Sequence, residues 1–502
     1  MLRRLKSSWR TGKGRRADLV AVSDKAMEAS PVPEATLQPS CAPNGVPEAV
    51  PEAIPEPSTN FAPPEEMPSE TLAPLDALPF EIHRMILLRA PSFDDLRALV
   101  RASPQLHRVY AEDRLSILRH FAGRLFDGFL VDAHAAYLSG TQEFQLSRSD
   151  STLWEFVDNY RLATVPGSDL FTHLSLEHVV QIIRFHFLVV EPLTQRYATW
   201  ALAALSSAPE TCPLSVTERQ RIQRGLYRLQ VFCNLCGSRG EGQSAPAYIE
   251  TNLDRVRVLS LFPAWQVEEV LCVHAFAKDV YGGVFDRVDW DLNEERNPRY
   301  LHVDITSVNE SLLLFSSPGG CKPRLQAFYR LTLDADFSCL AINFMSLDTV
   351  LRQGLPLLSA ILKITDHEEL VQAVRQGIVG GERVVCSAWG SDWMEEAVRH
   401  ESHYARREDW YSEEDAAQDR GDKTPFGGTD TADQPPLAWV TFWGGEVSNL
   451  YGAFVPKTFR RWGYVMWDAG RLEASGAMDH IEANSRSGWW DVREDMREDS
   501  EA

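Results

Sequence analysis

Apolar residues recur at helical spacing over most of the chain after residue 75, which predicts a mainly helical fold. The clearest amphipathic segments are residues 151–162, 175–188, 193–205, 217–235, 348–362, 366–376 and 382–400. Ser175 and Thr217 are the expected N-caps of two of these helices, and Gly377 is the expected end of another. Residues 287–348 are ambiguous, because the apolar run 312–315 fits a strand as well as a buried helical turn. The pattern therefore predicts a mainly helical body over residues 122–407.

Three short helices are predicted between residues 75 and 121. The first begins after Pro79, since a proline at a helix N-terminus loses no hydrogen bond, and it ends before Pro91. The second begins near Asp94 and Asp95, whose charge suits a helix N-terminus, and it ends before Pro104. Their apolar faces hold Ile82, Met85 and Ile86 in the first helix, Leu96, Leu99 and Val100 in the second, and Leu106, Val109, Tyr110, Leu115 and Leu118 in the third.

Residues 1–74 lack apolar periodicity and have two kinds of composition. Residues 1–16 carry seven basic side chains and no acidic one, whereas residues 17–74 hold twelve prolines and a recurring Pro-Glu-Ala motif. Because proline removes backbone donors and no apolar face is present, we expect this region to be disordered. The basic part fits a solvated tail, a nuclear-localisation signal or a mitochondrial presequence. The Pro/Glu-rich part fits a linker or a segment that shortens protein half-life.

The chain has 502 residues, of which 71 are acidic and 50 basic, so its net charge is −21. This balance disfavours nucleic acid and anionic membranes as partners. Acid is concentrated in residues 408–436, predicted to be a loop, and in residues 491–502, predicted to be a frayed tail. We expect no membrane span and no secretory signal, because no long apolar run occurs. The eight irregularly spaced cysteines fit reduced thiols, so the expected location is cytoplasmic or nuclear.

Motifs that carry chemistry are weak in this sequence. Cys233 and Cys236 form one CxxC pair, which supplies half of a four-ligand zinc site, so buried free thiols are the simpler interpretation. His400 and His403 are one residue too close for the HExxH zinc motif, and Ser391 lacks the glycines of a nucleophile elbow. No glycine pair extends into a phosphate-binding motif. The sequence therefore predicts no cofactor, no metal site and no catalytic residue.

Tryptophan is concentrated near the C-terminus, where nine of the 14 lie from residue 389 onward. Two pairs have the four-residue spacing of one helix face: Trp389 with Trp393, and Trp439 with Trp443. Because aromatic side chains bury large areas, we expect residues 437–490 to form a small Trp-rich lobe, of α or α+β structure, packed on the body. The alternative is an aromatic surface that recognises a partner, for which Arg460-Arg461-Trp462 is the local candidate.

The N-terminal helices contain a recognisable run of short motifs. They are Leu78-Pro79, Glu81-Ile82, Ile86-Leu87 and Leu96-Arg97-Ala98-Leu99-Val100, followed by Ala102-Ser103-Pro104. This run, residues 75–121, resembles the F-box in the shortened form common in filamentous-fungal proteins. Two later sequence segments, residues 262–269 and 461–468, are similar to the body of uncharacterised fungal F-box-like proteins.

The resemblance implies a three-helix module that contacts another protein. F-box helices pack on the small adaptor of SCF (cullin-RING) ubiquitin ligases, through an amphipathic helix with spaced apolar anchors. The residues that it implies for adaptor binding are Leu78, Pro79, Ile82, Ile86, Leu87, Leu96, Leu99 and Val100. The helical body would then hold a target protein, and the chain would not be an enzyme.

Two other functions stay open at this point. The module can be a helical hairpin that caps the body of a protein-interaction scaffold with no ligase role. The body can also be an enzyme without a recognisable motif, which would need a concave pocket with converging polar groups.

Overall fold

The computed structural model describes residues 75–164, 174–205, 213–237, 258–292, 350–379, 394 and 413–485. Over these residues the chain is mainly helical, as the apolar periodicity predicts. Extended pairing within them is limited to one isolated bridge, between Lys423 and Glu446. Four predicted segments lie wholly or mostly outside the described residues: 1–74, 287–348, 382–400 and 491–502.

The described helices are numbered here in chain order. The first seven are α1 (Phe80–Arg89), α2 (Phe93–Ala102), α3 (Pro104–Glu112), α4 (Arg114–Leu125), α5 (Leu130–Ser139), α6 (Gln142–Ser147) and α7 (Asp150–Ala163). The central ones are α8 (Leu176–Phe185), α9 (Glu191–Leu205), α10 (Val216–Cys236), α11 (Ala264–Leu292), α12 (Leu355–Ile361) and α13 (His367–Val379). The last are α14 (Glu413–Arg420), α15 (Leu437–Phe442), α16 (Lys457–Arg461), α17 (Ala469–Ser475) and α18 (Ala477–Ala483).

Helices α1 to α4, here called the N-terminal module, surround a small apolar core of their own. Its buried members are Leu87, Ala90, Leu96, Leu106, Val109, Ile117 and Phe121. The first two helices begin and end where the sequence predicts. Helix α1 follows Pro79, the hydroxyl of Ser92 accepts the backbone N–H of Asp95 at the start of α2, and Pro104 begins α3.

The predicted third helix is two helices, α3 and α4, which meet at Asp113. The backbone of Asp113 leaves the helical region, with φ −114° and ψ 25°. Its carboxylate forms an ion pair with the guanidinium of Arg84 on α1, and the same guanidinium donates to the hydroxyl of Ser116 at 2.9 Å. This contact fixes α1 to the bend. Because the bend divides the predicted third helix, the module has four helices rather than three.

Helix α4 belongs to two cores at once. Ile117 and Phe121 complete the core of the N-terminal module, whereas Leu118 and Ala122 join the main core of the body. Arg119 of the same helix donates from Nε to the backbone carbonyl of Leu174, at 3.2 Å, just before α8. The module cannot be detached without exposing the body-facing side of α4 to water.

Helix α10 is the buried centre of the body. From Arg221 to Cys236, every residue except Asn234 is buried. Helix α11 crosses it closely at Gly225, where an added Cβ would lie 3.1 Å from the backbone oxygen of Glu269. Because protein interiors are close-packed, a larger side chain at Gly225 would push the two helices apart.

Three arginines lie on one face of this buried helix, and each has a carboxylate partner. The pairs are Arg221 with Asp468 at 3.1 Å, Arg224 with Glu269 at 2.6 Å and Arg228 with Asp132 at 2.7 Å. A buried charge costs several kcal/mol unless it is paired and hydrogen-bonded. The position of α10 therefore depends on α5, on α11 and on the C-terminal segment, which supply those three carboxylates.

The C-terminal segment, residues 413–485, makes two further ion pairs with the same helices, the first of them fully buried. Arg460 donates from two nitrogens to the carboxylate of Glu268 on α11, at 2.9 Å each, and that carboxylate also accepts the backbone N–H of Gly452 at 2.7 Å. Arg471 donates to Glu218 of α10 at 2.7 and 2.8 Å. The segment shares one continuous apolar core with the body. Within it, the rings of Trp439 and Trp443 lie 5.7 Å apart, consistent with their predicted common helix face.

The acidic segment predicted as a loop at residues 408–436 has defined structure over its described part. Glu413–Arg420 form α14. Further on, the backbone carbonyl of Thr431 accepts from Arg221 at 3.1 Å, and that of Ala432 accepts from Arg224 at 2.7 Å. The acidic composition predicts a loop because it indicates solvated side chains. The backbone is nevertheless fixed, because its carbonyls accept hydrogen bonds from two buried guanidinium groups.

Two helix boundaries differ from the sequence predictions. Ser215, not Thr217, caps α10, because its hydroxyl accepts the N–H of Glu218 while the carboxylate of Glu218 accepts the N–H of Ser215. Helix α13 continues past Gly377, the second predicted boundary that differs. Helix α11 runs without a break through the glycine pair 282–283. No atom outside the local backbone lies within 4 Å of a Cβ built at either glycine of that pair.

Helices α8 and α9 are joined by a π-helical turn, His186–Val190. Ser175 caps α8 as predicted, its hydroxyl accepting the backbone N–H of His178 at 3.2 Å. In the turn, Nδ1 of His186 lies 3.1 Å from the hydroxyl oxygen of Tyr227 on α10. Burial lowers the pKa of His186 from 6.5 to about 4, so this imidazole is neutral near pH 7.

Breaking a buried ion pair should destabilise the protein far more than breaking an exposed one. Glu268→Gln leaves the charge of Arg460 uncompensated, and we expect the free energy of unfolding to fall by about 3–5 kcal/mol. The control is Glu446→Gln, which removes an exposed contact with Lys423 and should cost less than about 1 kcal/mol. Denaturant unfolding measures both variants. Equal losses would contradict the role given to the buried pair.

Burial of His186 should make stability depend on pH. The unfolded chain takes up the proton near pH 6.5 and the folded chain only near pH 4, so acid favours unfolding between these values. The stabilisation is fully present above pH 6.5 and is lost as the pH falls, by about 2 kcal/mol at pH 5. His186→Gln should flatten that part of the stability curve, and His107→Gln, at an exposed position, should leave it unchanged. Parallel curves for His186→Gln and the wild type would contradict the effect.

Candidate functional site

The CxxC pair lies on α10, inside the core. Cys233 and Cys236 are buried free thiols, and Sγ of Cys233 donates to the backbone oxygen of Leu351 at 3.4 Å. Burial raises the pKa of Cys233 to about 12, which suppresses the thiolate that binds metals and attacks disulfides. Across the described part of the chain, no three His, Cys, Asp or Glu side chains are grouped so that they could hold a metal ion. The motifs at Ser391 and at His400–His403 lie outside that part.

The protected thiol gives a direct test. When the folded chain is treated with N-ethylmaleimide near pH 8, Cys233 should remain unmodified, because the thiol is buried and protonated. Mass spectrometry of proteolytic peptides measures modification at each cysteine. After unfolding in guanidinium, the same thiol should react fully, which is the positive control. Rapid modification of Cys233 in the folded chain would contradict its burial.

The buried ion pairs hold the helices together. The carboxylate of Glu268 already accepts hydrogen bonds from Arg460 and from Gly452. An internal cavity lined by His274, Tyr281 and apolar side chains has a volume of about 10 Å³. That is close to the space one water molecule needs and far below the size of ligand pockets.

The arginine–tryptophan motif proposed as a recognition surface is mostly inward-facing. Arg460 is 7% exposed and paired with Glu268, and Trp462 is also 7% exposed. Trp462 packs against Phe459, with ring centroids 5.4 Å apart. Only Arg461 of the three is exposed. Because Arg460 and Trp462 belong to the core, the alternative of a recognition surface at this motif is not supported.

The eight residues implied for adaptor binding divide into three groups by exposure. Leu87 and Leu96 are buried within the N-terminal module, at 0% and 3% exposure. Pro79 is exposed. The other five are half-buried: Leu78, Ile82, Ile86, Leu99 and Val100. The structure thus brings all eight into one module, but Leu87 offers no surface to a partner.

An apolar face remains open on the first helix. Pro79, Ile82 and Met85, three residues apart, lie on one side of it and are here called the α1 outer face. Met85 is 53% exposed, so about half of this large apolar side chain is open to solvent. The segment before the helix is fixed by His83, whose Nε2 lies 2.8 Å from the backbone oxygen of Leu75. This face is the best candidate in the described residues for the surface that the sequence assigned to docking.

Comparisons with known proteins add no family. No protein-family model, no curated protein and no solved structure matches the chain. The helices that the structure describes are all too short or too polar to cross a membrane. The F-box resemblance therefore stays a prediction from the motifs of residues 75–121.

Sequence reasoning missed the residues that hold the body together, although it singled out the segments that contain them. The segments 262–269 and 461–468 both contact α10. Glu269 pairs with Arg224, and Asp468 pairs with Arg221. The available signal was the pair Glu268-Glu269, which stands inside an otherwise apolar helical run. Acids at such positions are retained only where a buried partner compensates them.

Proposed function

We propose that the chain is an F-box-type receptor whose α1 outer face docks on the adaptor of an SCF (cullin-RING) ubiquitin ligase. The observation that best supports this is the exposure of Met85 and Pro79 beside the half-buried Ile82 on one side of a short helix. Spaced apolar anchors of this kind suit docking into an apolar groove of a partner. The motifs Leu78-Pro79 and Glu81-Ile82, which carry the F-box resemblance, lie at the same place.

The opposite side of the helix that carries this face is packed against the rest of the module. Leu87 on its opposite side is fully buried, and Arg84 pairs with Asp113 at the bend between α3 and α4. Because the helix is already ordered in the free protein, docking would cost little conformational entropy. Such preorganisation favours tighter binding.

The second half of the proposal is that the body holds a target protein. Helix α4 contributes Leu118 and Ala122 to the main core, so the module and the body share one helix. An adaptor bound at α1 would therefore stand at a fixed position relative to any target bound by the body. A ligase receptor needs this geometry, because the target must be held within reach of the ligase.

Charge placed on the α1 outer face should weaken adaptor binding. We expect Met85→Asp and Ile82→Asp in the full chain to weaken binding to the purified adaptor at least about tenfold, since each would bury an uncompensated carboxylate. Biolayer interferometry measures the affinity, and thermal unfolding checks that each variant folds. The matched control is Leu146→Asp, at an exposed leucine of α6 that is 65% exposed. Wild-type affinity in Met85→Asp, or no binding by the wild type, would count against the proposal.

A scaffold without a ligase role is the second candidate, and the shared helix favours it. Because α4 completes both cores, the module has a structural task that is independent of any adaptor. On this alternative, the folded wild type shows no adaptor binding, and Met85→Asp leaves the partners recovered from cells unchanged. The same interferometry experiment therefore separates the two functions.

A further inference from the structure

A groove of about 360 Å³ lies where the N-terminal module meets α8. One wall is a single stripe of α2, with lining residues at positions 93, 96, 97, 100 and 101, and the facing wall is a stripe of α8, at positions 180, 183 and 184. Tyr110, Arg114 and Leu118, from α3 and α4, line the remainder. The volume falls within the range of ligand-binding pockets. No residue of α1 lines it, so it is distinct from the α1 outer face.

The apolar part of the lining, here called the floor of the groove, comes from both walls. Phe93, Leu96 and Val100 come from α2, and Val180 and Ile183 come from α8. At the π-helical turn just beyond α8, Phe187 packs edge-on against Phe93, with ring centroids 5.2 Å apart, and is 40% exposed. The floor can therefore accept an apolar side chain, and Phe187 extends the apolar surface beyond the groove.

Four arginines line the same groove, and this sets it apart on a chain of net charge −21. They are Arg97, Arg101, Arg114 and Arg184, and all four are exposed. Within the described residues, none of the four forms an ion pair, and no carboxylate lines the groove. Arg114 lies 6.0 Å from the ring of Tyr110. A planar guanidinium binds a carboxylate through two parallel hydrogen bonds, so the four are well suited to acidic side chains.

We propose that this arginine groove binds a carboxylate-rich segment of a second protein, with one apolar side chain of that segment seated on the floor. Charge complementarity selects this occupant, because the four cations need anions that the groove itself lacks. The apolar floor selects a peptide over a simple polyanion, since a phosphate backbone has no side chain to place there. The proposal does not depend on adaptor docking, because it uses a different surface.

The test uses the full chain and a fluorescein-labelled peptide of about eight residues, in which glutamates and aspartates flank a central Leu-Phe. Fluorescence anisotropy measures its affinity. The variant Arg97→Glu/Arg101→Glu reverses two charges in the groove. The matched control, Arg89→Glu/Arg108→Glu, makes the same change in net charge at two exposed arginines of the module that do not line the groove. Thermal unfolding checks that both double variants fold.

We expect saturable binding that weakens with added salt, a loss of at least about tenfold in the groove variant, and less than about twofold change in the control. Peptides with amides in place of the carboxylates, or with Gly-Ser in place of Leu-Phe, should each bind at least about fivefold more weakly. No saturable binding, or equal loss in the two double variants, would overturn the proposal. So would an oligonucleotide of equal charge that competes as well as the peptide, because that result would show a general anion site.

Discussion

The fold depends on compensating the charges buried in α10 and α11. Arg221, Arg224 and Arg228 lie on one face of a helix that is almost entirely buried, and Glu268 and Glu269 are buried on the helix that crosses it. An isolated charge in such a place is prohibitively costly, so each must have its partner in the native state. Two partners, Asp468 and Arg460, come from 247 and 192 residues further along the chain. The C-terminal segment is therefore required to complete the central helices.

The same framework positions the surfaces that we assign to partners. Helix α4 is common to the small core of the module and to the main core, so the α1 outer face has a fixed relation to the body. Helix α8 leads into the π-helical turn at His186, and π-helical turns are often found at functional sites. That turn places Phe187 against Phe93 at the edge of the arginine groove. Both candidate surfaces thus lie on elements whose opposite sides are buried.

Local signals in the sequence predicted the positions of the helices better than they predicted the contacts between helices. Pro79 and Ser175 mark helix starts correctly, because prolines and hydroxyl caps act on the backbone beside them. The helix end predicted at Gly377 is wrong, because a single glycine lowers helical stability without ending the helix. The pair Arg224 and Glu269 could not be predicted, because an arginine in a helix indicates a solvated face unless its partner is known. The candidate docking motif was visible in sequence, but the exposure of Met85 and the burial of Leu87 required the structure.

Docking of α1 on an adaptor is the central functional claim, and hydrogen–deuterium exchange tests it most directly. The full chain is compared with and without a saturating concentration of the purified adaptor, and exchange is followed peptide by peptide. The proposal predicts slower exchange in the backbone of residues 78–89 and no change in α6. Unchanged exchange in residues 78–89, with bound adaptor confirmed by its own protection, would contradict it.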